Sequence, residues 1–582
     1  MKKGFTLIEL LAVIVILAII TLIVVPIVIN IISDSKEETQ KRSIEKYAEA
    51  IKNAVVKYNL SNKNLIVGEF STVDGENLIQ TINDITTKLE IEYKGNVICD
   101  NIFIEKDGKV YLSECTVDGT KVDYEFGKVT TNMLYEKPYK KPENIDDYTF
   151  LNTGVKSGKI KIFQIHNKME IPSGYISKDC SYVQDGSVMC YWKEIETDLG
   201  YYEFHIAANG DIYTPYDSSG LFCNFGKEKL IELNLTGINT KYTTDMKLMF
   251  NYMGYSNLTS LNFGDKFDTS KVTTMYAMFQ KTGYNNLISL DLGNNFNTKN
   301  VTDMTGMFIN TGYTKMISLN LGDKFDTSNV TTTRQMFQNT GFTAMTRLNL
   351  GNRFKTTNVV DMKKMFYATG HESMSELNLG ENFYTSNVID MAGMFVGVGF
   401  SKLQKLDLGD KFDTSKVTDM SDMFNAAGHE SMTEIDLGEK FNTSNVTDMH
   451  AMFFGLGYKK LQKLDLGDKF DTSKVTNMFA MFCQTGYRSM TTLNLGDKFD
   501  TSNVTDLGGL FDNTGRYSLT SLDLKDKFVI REDANTKDIF KNCGSSGVLT
   551  SVTVPNDVIK TKVSNLAPQF WNTNNIIVIK SN

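Results

Sequence analysis

The chain has 582 residues, too long for one domain at about 100–200 residues each, and its 41% hydrophobic and 22% charged content allows large cores. Net charge is −8 with acids and bases interleaved, which argues against non-specific nucleic-acid binding, since that rests on concentrated positive charge. Only 7 Pro and 27 Met against 2 Trp are the unusual counts.

Lys2 and Lys3 open the chain, and from Leu10 to Ile32 the only polar side chains are Thr21 and Asn30. Positive charge tends to stay cytoplasmic and roughly 20 apolar residues cross a bilayer as a helix, so residues 5–32 read as a single transmembrane span. An ordinary signal anchor is the plainest reading. Against it stands Glu9, since a carboxylate inside an apolar segment is costly and usually marks a function. No small-residue cleavage site follows the apolar run either. Lys2-Lys3-Gly4-Phe5-Thr6-Leu7-Ile8-Glu9 resembles the class III signal of type IV pilins and pseudopilins. The resemblance implies cleavage by prepilin peptidase between Gly4 and Phe5, leaving 1–4 as the leader, and methylation of the new N-terminus at Phe5. It makes Glu9 the assembly glutamate that pairs with a neighbouring pilin subunit's N-terminal amine. Pro26 matches the family's helix-kinking proline, which loses a backbone donor.

Beyond Ile32 the helix is expected to continue, because Ile44, Tyr47, Ile51, Val55 and Tyr58 recur at three- and four-residue steps. Residues 33–134 then form a pilin-like helix and small head. Strands are predicted at Asn101–Glu105, Lys109–Ser113 and Lys121–Phe126, turning at Asp107-Gly108 and Asp118-Gly119. Cys99 and Cys115 bracket the first hairpin, and Cys180 and Cys190 bracket another further on. Each pair is a possible local disulfide in an oxidising compartment, and the spacing alone does not decide the pairing. Cys223, Cys483 and Cys543 stand apart. Residues 135–146, with two prolines and several charges, read as a linker. Residues 147–226 are a β-rich intermediate region, with strands at Tyr201–Ala207 and Asp211–Thr214 around Asn209-Gly210.

From Leu261 the chain repeats with a period of 29 through Leu522, and an imperfect copy starts at Leu233. Such a period marks a solenoid, whose units bury their apolar faces only by stacking. In the unit Leu406–Glu434, Leu403-x-x-Leu406-x-Leu408 predicts a strand, broken by Gly409, with Phe412 returning to the core. Thr414 and Ser415 are helix N-cap candidates. Val417, Met420, Met423 and Phe424 then predict the inner face of a short helix, ended by Gly428 as a left-handed C-cap. About ten coils some 4.8 Å apart give a rod on the order of 50 Å. Asp413–Phe424 and its equivalents resemble the BspA-like family of leucine-rich-repeat surface proteins, and Thr214–Leu235 is similar to that family's lead-in. The solenoid is expected over 227–545, with a C-terminal cap at 546–582. The fold class is thus multidomain α+β: a long N-terminal helix with a small antiparallel sheet, then a leucine-rich-repeat-like solenoid of strand–helix units.

Recurrent Met-x-x-Met pairs such as Met420/Met423 suggest soft copper ligands, but their spacing is that of core residues. His371 and His429 are equivalent positions two units apart, too far to share an ion, and with the lone His450 they read as surface residues. The Asp and Thr columns, Asp326, Asp413, Asp471 and Asp500 with their following threonines, are explained by turn and cap chemistry without calcium. The sequence contains no HExxH site or phosphate-cradling Gly motif, and no Ser or Cys nucleophile is placed beside a His. No cofactor, metal, nucleic-acid partner or enzymatic activity is expected. The resemblances imply a cell-surface adhesin, a minor pilin in the cell membrane with its C-terminal part outside, binding an extracellular protein or glycan. An assembly pseudopilin of a secretion or competence machine is the alternative, and an anchored enzyme a third.

Overall fold

A computed structural model describes residues 36, 39–58, most of 68–122, 132–135, 144–182, 186–568, 571 and 577–579. Gly4, Phe5, Glu9 and Pro26 lie outside the described residues, as does the apolar run. Among the described residues no helix is long and apolar enough to cross a membrane. The chain divides into two compact units, Met1–Thr131 and Asn132–Asn582.

In the first unit, helix α1 (39–58) buries the apolar stripe expected of it, Ile44, Tyr47, Ile51 and Val55. They share a core with Val97, Cys99, Ile102, Leu112, Cys115 and Val117 of a six-stranded sheet. Its strands are β1 Gly68–Thr72, β2 Asn77–Ile82, β3 Ile85–Glu90, β4 Val97–Ile104, β5 Val110–Val117 and β6 Thr120–Lys121, in the order β3-β2-β1-β4-β5-β6. Strand β4 begins four residues before the predicted start at Asn101. Cys99 therefore does not flank the hairpin but lies within it, directly opposite Cys115, and the two are disulfide-bonded. Asp118 and Gly119 turn the chain from β5 to β6 with φ of 50° and 72°, the paired left-handed residues of a tight hairpin turn.

The second unit opens earlier than the linker reading placed it. The Leu134 N–H donates to the Tyr213 carbonyl and that of Tyr135 to Cys180, so these residues belong to this unit. Four strands, β7 Ile160–His166, β8 Ile176–Asp179, β9 Val188–Glu194 and β10 Tyr202–Ala208, form a sheet in the order β7-β10-β9-β8. Cys180 and Cys190 are disulfide-bonded beside the β8–β9 pairing. Phe163 and Phe204 on its inner face meet Phe150, Phe222 and Phe225, which start the solenoid core. One hydrophobic core then runs from Leu134 to Trp571 and includes residues of the β-rich region 147–226.

Each coil of the solenoid contributes a three-residue parallel strand, for example Lys405–Asp407, whose Leu406 is buried between exposed neighbours. Leu290 stands opposite Leu319 and Leu348 opposite Leu377, one period apart. The rest of the coil departs from the predicted helix. Met420, Met423, Phe424 and Ala427 are buried as expected, but they sit on consecutive tight turns. Met423 N–H bonds Met420 O and Ala427 N–H bonds Phe424 O, whereas the intervening Phe424 and Ala426 N–H groups bond Met452 and Phe454 of the next coil. Asp422, Ala426 and Gly428 have φ of 56°, 54° and 49°, left-handed values that break a helix. The units are therefore strand–turn coils of a β-solenoid, not strand–helix repeats. Thr414 is accordingly no N-cap. It is fully buried, donates its hydroxyl to Asn442 O at 2.8 Å and accepts the Asn442 N–H at 2.7 Å. The same bond from Thr269, Thr327, Thr385, Thr472 and Thr501 makes a threonine ladder through the stack.

The strands pair in twos. Leu292 N–H reaches Asn320 O and Leu350 N–H reaches Asn378 O, but among the described residues no such bond joins Leu321 to Asn349 or Leu379 to Asp407. The glycines after the strands follow suit. A Cβ on Gly322 would lie 2.3 Å from Gly293 O and one on Gly380 2.8 Å from Gly351 O, whereas on Gly351 or Gly409 it would meet nothing within 4 Å. Closed and open junctions thus alternate along this edge. At the far end Ser551–Val554 and Ile577–Ile579 extend the sheet. Helix α2 (Asp557–Leu566), capped by Asn556, buries Ile559 and Val563 there, and Trp571 covers Phe540 at 5.4 Å.

Candidate functional site

Three features of the solenoid unit carry chemistry beyond packing. The first is a column of half-buried rings, one per coil: Tyr255, Tyr284, Tyr313, Phe342, His371, Phe400, His429, Tyr458 and Tyr487. Successive centroids are 4.4–4.7 Å apart and nearly parallel. His371 and His429 are therefore half-buried in the column rather than free on the surface. Each imidazole is sandwiched between two aromatic rings, and Nδ1 of His371 is buried without a hydrogen-bond partner. Burial pushes both imidazoles below their ordinary 6.5, opposed at His371 by Glu372 and at His429 by its hydrogen bond to Glu430. The unfolded chain then takes up protons first, so stability is full above about pH 6.5 and falls as pH drops below it. His371→Phe, which continues the column, is expected to reduce that acid loss, read from thermal unfolding between about pH 8 and 5.

The second is a polar cluster on the outer face of the four-stranded sheet. His166 Nε2 lies 3.0 Å from His205 Nδ1, and His205 Nε2 lies 2.9 Å from Glu203 Oε1. Tyr175 also donates to Glu203, and Tyr191 stacks on His205 at 4.6 Å. Because the carboxylate accepts, His205 carries its proton on Nε2 and His166 donates to its Nδ1. Burial lowers the His205 pKa. The cluster joins β7 to β10, two strands distant in sequence, and no motif announces it.

The third is a groove of about 1360 Å³ along the loops after the strands, spanning the coils from Leu319 to Lys411 and including the open junctions at Gly351 and Gly409.

The sequence-predicted candidates sort as follows. Paired methionines such as Met304/Met307 and Met420/Met423 are fully buried, and Thr333, in the same column, is buried with its hydroxyl 3.3 Å from Met365 Sδ. Asp326, Asp413, Asp471 and Asp500 accept the N–H two residues on at 2.9–3.0 Å, the turn chemistry expected of them. His450 is not alone, for it contacts Asp448 at 2.9 Å and Asp422 at 3.3 Å. Among the described residues no group of three or more His, Cys, Asp or Glu is placed to hold a metal ion. Cys483 and Cys543 are buried with thiols pushed up to about 12 by burial, which leaves them inert as nucleophiles at neutral pH.

Residues 220–345, 340–430, 370–455 and 428–548 match the model of a family described as Mycoplasma protein of unknown function, DUF285, and together they cover more than half of the chain. The chain belongs to the DUF285 family. Its DUF285 repeats are the coils described above. Residues 1–25 match the prokaryotic N-terminal methylation motif, the motif of type IV prepilins, which implies processing by prepilin peptidase, anchoring in the membrane and assembly with other pilin subunits. No curated protein and no solved structure matches the chain.

Proposed function

We propose that this DUF285 protein is a surface-displayed binding subunit: a minor type IV pilin whose N-terminal segment crosses the membrane once and joins a filament, and whose solenoid attaches the cell to host matrix or to other cells. The observation that carries the reading is the union in one chain of a prepilin motif at 1–25 and a repeat solenoid over 220–548. The motif supplies the route to the surface. The solenoid supplies an extended face on which equivalent side chains recur coil after coil, which suits binding through many weak contacts. A unit of this size is awkward in every subunit of a closely packed fibre, which favours a minor or tip position. The resemblance to BspA-like surface proteins supports attachment, and the absence of catalytic motifs supports binding over turnover.

The test compares cells lacking the protein with complemented cells, for attachment to immobilised matrix protein and for the presence of filaments. Lost attachment with filaments retained is the expected result. Unchanged attachment together with lost secretion or DNA uptake would instead assign the chain to an assembly apparatus.

A further inference from the structure

We propose that the groove spanning Leu319 to Lys411 is a binding site for a neutral linear oligosaccharide, a proposal that rests on the display reading above and names its ligand class. The groove is wider than the 300–1,000 Å³ typical of small-molecule pockets, so it suits a chain of rings rather than one small molecule. Gly322, Gly351, Gly380 and Gly409 are among the residues that line it. At Gly351 and Gly409 the open junctions leave space that a Cβ would enter without meeting an atom within 4 Å.

Its walls carry Asn352, Arg353, Glu381, Tyr384, Asp410 and Lys411. Among the described residues no ion pair engages Arg353, Glu381, Asp410 or Lys411, although Asp323, Asn352, Glu381 and Asp410 fill one column and Arg353, Asn382 and Lys411 the column beside it. Donors and acceptors therefore run side by side along the groove. Hydroxyl groups, which donate and accept, satisfy such a wall. A polyanion would meet Glu381 and Asp410, and a polycation would meet Arg353 and Lys411. Tyr384, half-buried and with Lys411 Nζ 5.8 Å from its ring centroid, supplies an aromatic surface of the kind that packs against apolar faces.

Spacing separates a sugar chain from a peptide. Coils rise about 4.8 Å, whereas side chains on one face of an extended peptide recur at about 6.6 Å, so peptide contacts fall out of step within two coils. A pyranose ring is about as long as one coil is tall, and a linear oligosaccharide can repeat its contacts from loop to loop.

The experiment titrates the purified full-length protein in detergent calorimetrically with cellohexaose and chitohexaose, and in parallel with a sulfated hexasaccharide and an uncharged extended hexapeptide. Saturable binding of a neutral hexasaccharide is expected. Arg353→Ala, which removes a charged donor, is expected to weaken it about tenfold or more. Glu381→Gln should weaken it less, and Arg488→Ala, on an exposed residue outside the groove, should leave it unchanged. All three sites are exposed, so the fold is retained. The proposal is overturned if neither neutral hexasaccharide binds, if Arg353→Ala binds like the wild type, or if the sulfated sugar or the peptide binds more tightly. Because the readout is purified protein, failure here leaves the attachment test undecided by it, and failure of attachment leaves the groove result standing.

Discussion

Glu9→Ala is expected to leave the chain in the membrane and cleaved after Gly4, yet to remove it from filaments. The apolar run from Leu10 to Ile32 does not need Glu9 to partition into lipid, and loss of a carboxylate makes insertion easier, not harder. The cleavage that the resemblance implies, between Gly4 and Phe5, is four residues along the sequence from position 9. What the substitution removes is the carboxylate that, on the pilin resemblance, would pair with the methylated amine of Phe5 on a neighbouring subunit. An amine buried without its partner is strongly destabilised, by about 3–5 kcal/mol for a broken buried pair, enough to reduce incorporation by two or more orders of magnitude. Sheared filaments and membranes from the same cells, blotted for this protein and sequenced at the N-terminus, decide the matter. Wild-type amounts of Glu9→Ala protein in the filament fraction would show that the segment is an anchor and nothing more.

The solenoid was legible in the sequence because stacking makes every coil solve the same packing problem. Leu406, Phe412, Val417, Met420 and Phe424 all occupy the inward positions their spacing implied. The same spacing also suggests a helix between Val417 and Gly428, for a related reason. Consecutive tight turns also return apolar side chains to the core every three or four residues, so the period does not separate them from a helix. Composition does. Met391–Gly399 holds Gly393, Gly397 and Gly399 in the columns where Asp422, Ala426 and Gly428 are left-handed, and three glycines in nine residues are a poor helix. Pairing of strands in twos also had a signature. Lys402–Thr418 recurs unchanged as Lys460–Thr476 two periods on, and Gly370–Met374 recurs as Gly428–Met432, so in this stretch surface detail repeats in pairs of coils. The groove could have been sought in the loops after the strands, where Gly322, Gly351, Gly380 and Gly409 recur. The His166–His205–Glu203 cluster could not, since only the parallel pairing of β7 with β10 brings the two imidazoles together.

Phe424→Ala is expected to open the solenoid in its middle while leaving both ends folded. The ring is fully buried and stacks at 5.6 Å on Phe395 below and on Phe453 above, in a column that runs from Phe222 to Phe540 and ends under Trp571. Truncating such a ring costs about 3–5 kcal/mol. In a globular domain that cost would spread over the whole cooperative unit. In a stack each coil touches only its neighbours, so stability is a sum of coil and junction contributions and the penalty falls on the two junctions flanking Phe424. Amide exchange should therefore accelerate across roughly the coils from Phe395 to Phe453, with new protease cuts there. Protection near Phe250 and near Phe511 should change little, since the outer ends keep their own covers in the four-stranded sheet and in Trp571. Phe540→Ala serves as the contrast, because it removes the ring beneath the cap and should fray only the last coils. Equal loss of protection along the whole array from Phe424→Ala would mean that the coils fold as one unit, not as a sum of neighbour junctions.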